Sequence, residues 1–254
     1  VKTERLVRVQ VDDRVVCGRL DGGWIAVMEG FYGAPTGERV ALTQARLLAP
    51  VVPRTCIGIG TNYRAHAVEM GKPVPTVPKV FVMPWSVAAG NDDPIVLAPG
   101  SARVDHEAEL AIVIGQDCKD VAVADALDVV LGYTCANDVT ARDFQRSDKV
   151  FGRAKGFDGY LPLGPCVVRG LDPSDLRVRC WVDGQLKQDG RTSDMVFGVA
   201  ELVSFVSGVM RLSPGDVIAT GTPSGVSGLV AGQRVDVEIE GIGRLSNPVV
   251  AAGA

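Results

Sequence analysis

The apolar positions of this chain fall mostly into short runs with a period of two. Glycine, proline and Asp/Asn turns bound the runs, and this pattern predicts strands. Val7, Val9 and Val11 alternate with Arg8 and Gln10. Residues 15–20 and 24–28 flank a Gly22-Gly23 turn, so residues 4–30 predict a small antiparallel sheet of hairpins. Residues 56–60, 80–83, 95–97, 110–114, 131–138 and 217–220 are further candidate strands. Residues 178–186 read as a hairpin around Asp183-Gly184, and residues 235–240 alternate strictly. Helical spacing is rarer. It predicts a helix over 120–130 with Asp125 and Asp128 outward. A second runs over 194–210 with Val199, Leu202, Val203, Val206 and Val209 on one side. A short helix follows Thr61, capped by Thr61 or Asn62 and ended at Gly71. The fold class is therefore mainly β with a few helices. A soft boundary near residue 50 separates a small N-terminal β domain, 1–50, from a larger domain, 51–254.

Composition narrows the function classes. The 254 residues carry a net charge of −4, which excludes the basic field of a general nucleic-acid binder. No apolar stretch reaches the roughly 18 residues that a bilayer span needs, so no membrane association is expected. The first residues, Val1-Lys2-Thr3-Glu4-Arg5, show no apolar signal core. Six scattered cysteines without a C-x-x-C pair read as reduced, buried thiols of a cytoplasmic protein.

Candidate chemistry concentrates at Asp105-His106-Glu107-Ala108-Glu109, just before the apolar run at 110–114. On one continuous strand, Asp105, Glu107 and Glu109 share a face and His106 and Ala108 the other. Such carboxylates either form a solvated strand end or hold a divalent cation that relieves their repulsion. The strand at 131–138 ends on Asp138, a further candidate ligand. His66 and Glu69 lie three apart on the short helix and share a face. They are a surface pair, part of a metal site, or a general-base dyad in which the carboxylate orients the imidazole.

Five segments, in order, resemble the fumarylacetoacetate hydrolase superfamily. They are residues 60–71 (Gly60-Thr61-Asn62-Tyr63 to Met70-Gly71), 104–115 around Asp105-His106-Glu107-Ala108-Glu109, 132–143 with Asn137-Asp138, 155–165 from Lys155-Gly156-Phe157-Asp158, and 215–226 with Gly221-Thr222-Pro223-Ser224-Gly225. The resemblance covers roughly residues 53–250. It implies a rolled β-sheet or incomplete barrel behind a small β domain. It also implies a divalent cation, Mg²⁺ or else Mn²⁺ or Ca²⁺, on Glu107, Glu109 and Asp138, with Asp105 as support. His66 and Glu69 resemble the dyad that activates water, and Lys155 the cation near the reacting oxygen. Arg142 and Gln145 fall where the family holds substrate oxygens. Gly221 and Thr222 resemble the loop that binds the 2-oxo acid end.

The implied substrate is a small 2-oxo or 1,3-dioxo acid and the implied assembly a homodimer. The implied reaction is C–C hydrolysis of an acylpyruvate or fumarylpyruvate type of acid. Decarboxylation of an oxaloacetate-like diacid and isomerisation of a 2-hydroxyhepta-2,4-diene-1,7-dioate type of substrate use the same scaffold. Both dyad residues being present favours hydrolysis. A non-catalytic protein that binds metal or 2-oxo acid is the reading from another class. One departure is Met83-Pro84 where many relatives have Lys-Pro, which implies a missing pocket cation and, with Trp85-Ser86, a more apolar pocket wall.

Overall fold

The structure is a computed structural model that describes residues 2–31 and 33–253. Alternation becomes sheet much as the sequence predicts. Glu4–Val11, Arg14–Asp21, Trp24–Met28 and Pro35–Ala41 form an antiparallel meander. Val7, Val9 and Val11 are buried on it. The meander is not a separate sheet. Glu4–Val11 pairs with Leu161–Arg169, so hydrogen bonding runs across the boundary expected near residue 50.

From there the main sheet continues through Val130–Asn137, Ala108–Ile114, Val217–Ala219, Cys56–Gly60 and Lys79–Met83. The path is open at both ends, so the sheet is rolled but not a closed barrel. A five-stranded sheet packs beside it, in the order Gln185–Arg191, Arg177–Val182, Arg234–Ile239, Gly243–Val250 and Ile95–Val96. Its first hairpin turns on Asp183 and Gly184, both at positive φ (49° and 75°). That conformation suits the right-handed twist of a two-residue hairpin.

Ala108–Ile114 lies in the middle of the main sheet and is buried at every position. Its neighbours, Val130–Asn137 and Val217–Ala219, both run antiparallel to it. A strand covered on both faces has no solvent side, which is why residues 110–114 form a continuous apolar run.

Three expectations need correction. Residues 123–129 form a 3-10 helix that buries Ala126 and Val129, three apart, and leaves Leu127 48% exposed. Three residues per turn stack i and i+3, so the apolar spacing there follows a period of three and not that of an α-helix. The long helix begins at Val199, not 194. Residues 192–194 are a separate 3-10 turn, and the Gly198 amide donates to Glu201 (2.7 Å), which fixes the later start. Its last turn leaves the core, with Val209 58% exposed. The short helix spans Arg64–Glu69 with Tyr63 at its N-cap and no side-chain cap. Asn62 does other work. Its side chain accepts from the Phe197 amide (2.9 Å) and donates to the carbonyls of Phe197 (3.0 Å) and Thr220 (2.8 Å). It ties the start of the helix to two distant segments.

All six cysteines are free, and five are buried. No helix among the described residues is long and apolar enough to cross a membrane.

Candidate active site

The acidic stretch is not one strand. Val104–Asp105 pairs with Thr140–Ala141 in a small sheet of its own, and the long strand starts at Ala108. Between them, the Glu107 amide donates to Asn137 Oδ1 (2.9 Å) and its carbonyl accepts from the Asp138 amide (2.9 Å). The break corrects the shared face. Asp105 turns to the guanidinium groups of Arg142 and Arg103, each at 2.8 Å. Glu107 and Glu109 meet Asp138 instead. Antiparallel pairing sets Ala108 opposite Asn137 and Glu109 opposite Ala136, so the start of one strand lies beside the end of the next.

Glu107, Glu109 and Asp138 are buried, and one oxygen from each lies within 4.8 Å of the others. Octahedral Mg²⁺ at about 2.1 Å from its ligands spans about 4.2 Å between opposite oxygens, so a small adjustment seats the ion. Asp138 Oδ1 is buried and has no hydrogen-bond partner among the described residues. An orphaned carboxylate oxygen in an all-oxygen cluster is what a hard divalent cation satisfies, and the residues present fit one.

Two cations are built into the same cluster. Lys155, at the end of the short helix Gly152–Lys155, donates to Glu107 (2.8 Å) and to Asp138. Arg142 opens the helix Arg142–Asp148. It donates to Asp105, to Glu107 (2.6 Å) and to Gln145 (3.2 Å). The electrostatics divide the three carboxylates. Burial raises Glu107, but Lys155 and Arg142 outweigh it and hold its carboxyl well below the usual range. Burial, with the charges of Asp138 and Glu107, pushes Glu109 well up. Burial pushes Asp138 up to about 6 despite its bond to Lys155.

A pH dependence follows. A ligand carboxylate must be deprotonated, so protons compete with metal at Glu109 and Asp138. The thermal stabilisation conferred by Mg²⁺ or Mn²⁺ is expected to be large at pH 8 and mostly lost at pH 5, below the raised Asp138 value. Melting curves with and without metal across that range check this. A metal-induced shift that does not change with pH would count against these ligands.

His66 faces the same cleft. Its Nδ1 lies 2.8 Å from Glu69 Oε2, which leaves Nε2 for a substrate or water. Glu69 Oε1 accepts from the Gly225 amide (2.9 Å), so the glycine-rich loop holds the carboxylate in place. Of the other expected site residues, Gln145 and Thr222 line the cleft. Gly221 does not, because its amide donates to Glu109 (2.7 Å). It steadies Glu109 of the carboxylate cluster rather than lining the cleft. Met83 is buried in the core and Trp85 is 65% exposed. Neither lines the cleft, so the expected effect of Met83-Pro84 on the pocket wall is not found.

The apolar wall is instead Phe81 with Phe151, rings 4.5 Å apart, and Lys155 sits 5.3 Å from the Phe81 ring. Phe81 pairs with Gly58, where a Cβ would lie 2.1 Å from the ring. A glycine inside a strand was the available signal for that close approach. Lys72 also lines the cleft, its ammonium pushed down by burial and by the nearby charges of Arg142 and Lys79.

Gln188 left no local signal. Its Oε1 takes the Ala108 amide (3.0 Å) and faces His106 Nδ1 (3.0 Å). Its Nε2 donates to Thr222 (2.7 Å) and to the Pro223 carbonyl (2.8 Å). This one buried amide links the acidic strand to the Thr222 loop. His106 is buried, and burial pushes its pKa down, so it serves as a neutral node.

Fold and cleft together define an open β-sheet protein with a His66–Glu69 pair beside a buried carboxylate cluster. The sequence pattern described as Fumarylacetoacetate (FAA) hydrolase C-terminal matches residues 55–250, and a pattern described as Rv2993c-like, N-terminal matches residues 4–50. The chain belongs to the fumarylacetoacetate hydrolase family. The crystal structure of a 2-hydroxyhepta-2,4-diene-1,7-dioate isomerase from Mycobacterium marinum superposes with a TM-score of 0.92 at 42% identity, over 99% of this chain and 100% of that one. A mitochondrial oxaloacetate tautomerase of Xenopus laevis is 44% identical over 217 residues, 80% of this chain and 68% of its own. A maleylpyruvate hydrolase from Sphingobium sp. SYK-6, in complex with manganese(II) and pyruvate, superposes with a TM-score of 0.81 at 31% identity, over 97% and 99% of the two chains.

Proposed function

We propose that the protein is a divalent-metal-dependent enzyme that hydrolyses a C–C bond in a small 2-oxo or 1,3-dioxo acid of the acylpyruvate or fumarylpyruvate type. The observation that carries this reading is the His66–Glu69 pair facing the Glu107, Glu109 and Asp138 cluster across one cleft. Glu107, Glu109 and Asp138 would hold the cation, Mg²⁺ or Mn²⁺ by the oxygen donor set. When bound, it supplies Lewis-acid stabilisation of negative charge on a 2-oxo oxygen.

The chain's own residues do the rest. His66 takes a proton from water through Nε2, while Glu69 fixes the tautomer and offsets the imidazolium charge. The hydroxide adds to the far carbonyl carbon. The bond from that carbon to C3 breaks, the electron pair goes to C3, and the proton held on His66 returns there to complete pyruvate. Lys155 places positive charge beside the reacting oxygens, and Arg142 with Gln145 orients the carboxylate end.

A second reading is carried by some of the relatives. Those named isomerase and tautomerase are 42% and 44% identical, within the 31% to 46% spanned by those with hydrolase in their names. In that reading the same dyad only moves a proton along the 2-oxo acid. The small-molecule acid is the partner in either case, with no nucleic acid, and a homodimer is the assembly proposed with it.

The test is one panel of acetylpyruvate, fumarylpyruvate and oxaloacetate, with Mg²⁺, with Mn²⁺ and with chelator. Metal-dependent release of pyruvate from the acylpyruvates is the expected result. Keto–enol exchange of oxaloacetate alone would replace it with the second reading. Tight binding of a 2-oxo acid with no turnover of any substrate would mark a non-catalytic binder.

A further inference from the structure

The strand Gln185–Arg191 lies at the edge of the five-stranded sheet, and Gln188 is the one residue on it that is buried. Its pairing explains how. Cys180 pairs with Gln188 and Trp181 with Leu186, so Lys187 is an extra residue, a bulge that re-aims the side chain after it. The Thr222 loop lies against this bulge at two glycines. A Cβ at Gly225 would meet the Lys187 carbonyl oxygen at 2.0 Å, and one at Gly190 would meet the Pro223 ring at 2.6 Å. An edge strand of the second sheet therefore delivers one buried amide to a loop that lines the cleft.

The bonds of that amide have only one arrangement. A side-chain amide offers two N–H donors and an oxygen with two lone pairs. Gln188 Oε1 takes the Ala108 amide, which can only donate, and Nε2 gives to the Pro223 carbonyl, which can only accept. The side chain cannot flip. Its second lone pair faces His106 Nδ1, so that nitrogen carries the proton, and its second N–H goes to Thr222 Oγ1. Cys180 Sγ, 3.3 Å from His106 Nδ1, shares this proton. His106 Nε2 is left as the acceptor for the Ser227 hydroxyl (2.9 Å). Thr222 in turn donates its own hydroxyl proton to the Ala108 carbonyl (2.8 Å).

We infer that Gln188 is a positioning residue for the cleft. It fixes Thr222 directly and the Glu69 carboxylate through the Gly225 amide, while the protonated Nδ1 of His106 locks its orientation. The inference rests on the reading of the cleft as a 2-oxo acid site. It adds that the loop of this site is set from the other sheet, by hydrogen-bond direction as well as packing. A loop ordered in advance favours ligand binding, so loosening it weakens the acid and not the metal.

The test has a spectroscopic arm and a binding arm. The chain has two histidines, so nitrogen NMR of His66→Ala reads His106 alone. A protonated Nδ1 and a bare Nε2 are expected at about pH 7. The opposite tautomer would overturn the inference with no change made at position 188. In the binding arm, calorimetry follows Mn²⁺ binding and then pyruvate binding to the Mn²⁺-loaded protein. Gln188→Glu keeps the two acceptor bonds and loses the two donor bonds. Gln188→Met loses all four without adding a charge. Each is expected to weaken pyruvate by about tenfold, the scale of one or two lost hydrogen bonds, and Mn²⁺ by about twofold or less. In a Thr222→Val background the same changes should cost about threefold or less, because the contact they act through is already gone. Gln185→Glu, on the exposed part of the same strand, should leave both affinities as in the wild type.

Parallel loss of pyruvate and Mn²⁺ binding, or the full cost in the Thr222→Val background, would make Gln188 structural support only. Either result would overturn the inference and leave the reading of the cleft standing. No binding of pyruvate to the loaded wild type would overturn that reading and this inference with it.

Discussion

Glu109→Gln is expected to abolish turnover and the response to metal while making the metal-free protein more stable. The first two losses share a cause. Glu109 is one of three oxygen donors, and an amide cannot supply the negative charge that a hard cation needs. A cation used as a Lewis acid contributes several kcal/mol to the transition state, so the loss in kcat/KM should exceed about a thousandfold.

The gain in stability follows from the direction of the Glu109 shift. Its carboxyl is held well above the ordinary value by burial and by the charges of Asp138 and Glu107. A carboxyl raised in the folded state contributes stability at low pH. That contribution is lost as pH rises from the unfolded value through the folded one, because the ionised form is the disfavoured one inside the protein. At pH 8 the ionised carboxylate therefore counts against the fold, and glutamine removes that term. The oxygen of the introduced side-chain amide can still accept from the Gly221 backbone, so the neighbouring loop keeps its anchor.

Asp138→Asn should lose metal and activity equally, but without the gain in stability, because it also strips Lys155 of a partner. Turnover, metal titration and melting temperature in chelator, measured together, check all three signs. Full turnover of either variant in chelator-treated buffer would rule out the metal mechanism.

The difference between these two carboxylates was not legible in the sequence, although their presence in one site was. Period-two patterns carry strand faces, and Val235, Val237 and Ile239 are buried as their alternation requires. The Asp183-Gly184 turn is encoded within two residues and reads correctly for that reason. Asp138 reads as a candidate ligand because the strand at 131–138 ends on it, and that strand pairs with the Glu109 strand.

What local pattern cannot carry is a competing partner from far along the chain. The strand breaks at His106 and Glu107 because their amides bond to the Ser227 carbonyl and the Asn137 side chain. Asn62 has the composition of a helix cap, yet its three bonds reach Phe197 and Thr220. The family resemblance points Gly221 at a substrate, and its amide instead bonds Glu109 from 112 residues away. In each case a tertiary hydrogen bond overrides a local preference at a site that is fully buried, where leaving a polar group unpaired would cost more than the preference is worth.

His66→Ala should separate the reactions open to this scaffold. Hydrolysis needs a proton removed from water and returned to C3. Keto–enol exchange needs a proton moved between C3 and oxygen. Both pass through His66 Nε2, so both should fall by about a hundredfold to ten-thousandfold, the usual worth of a positioned general base. Loss of CO₂ from an oxaloacetate-like acid breaks its bond without taking a proton from water. It depends on charge stabilisation by Lys155, Arg142 and the cation site, so it should fall by about tenfold or less.

The pattern of loss is more informative than its size. Glu69→Gln gives the internal control. The amide can still meet His66 Nδ1, but it no longer offsets an imidazolium charge, so proton-transfer rates should drop between the wild type and His66→Ala. Glu69 also holds the Gly225 amide, and loosening that contact acts on the loop that carries Thr222. A rise in KM shared by every substrate would report that loosening. A fall in kcat confined to hydrolysis and keto–enol exchange would report the base. Equal loss of decarboxylation and hydrolysis in His66→Ala would count against the dyad. It would leave His66 as a side chain that shapes the cleft, and the water-activating group would have to be sought among the other residues facing the carboxylates.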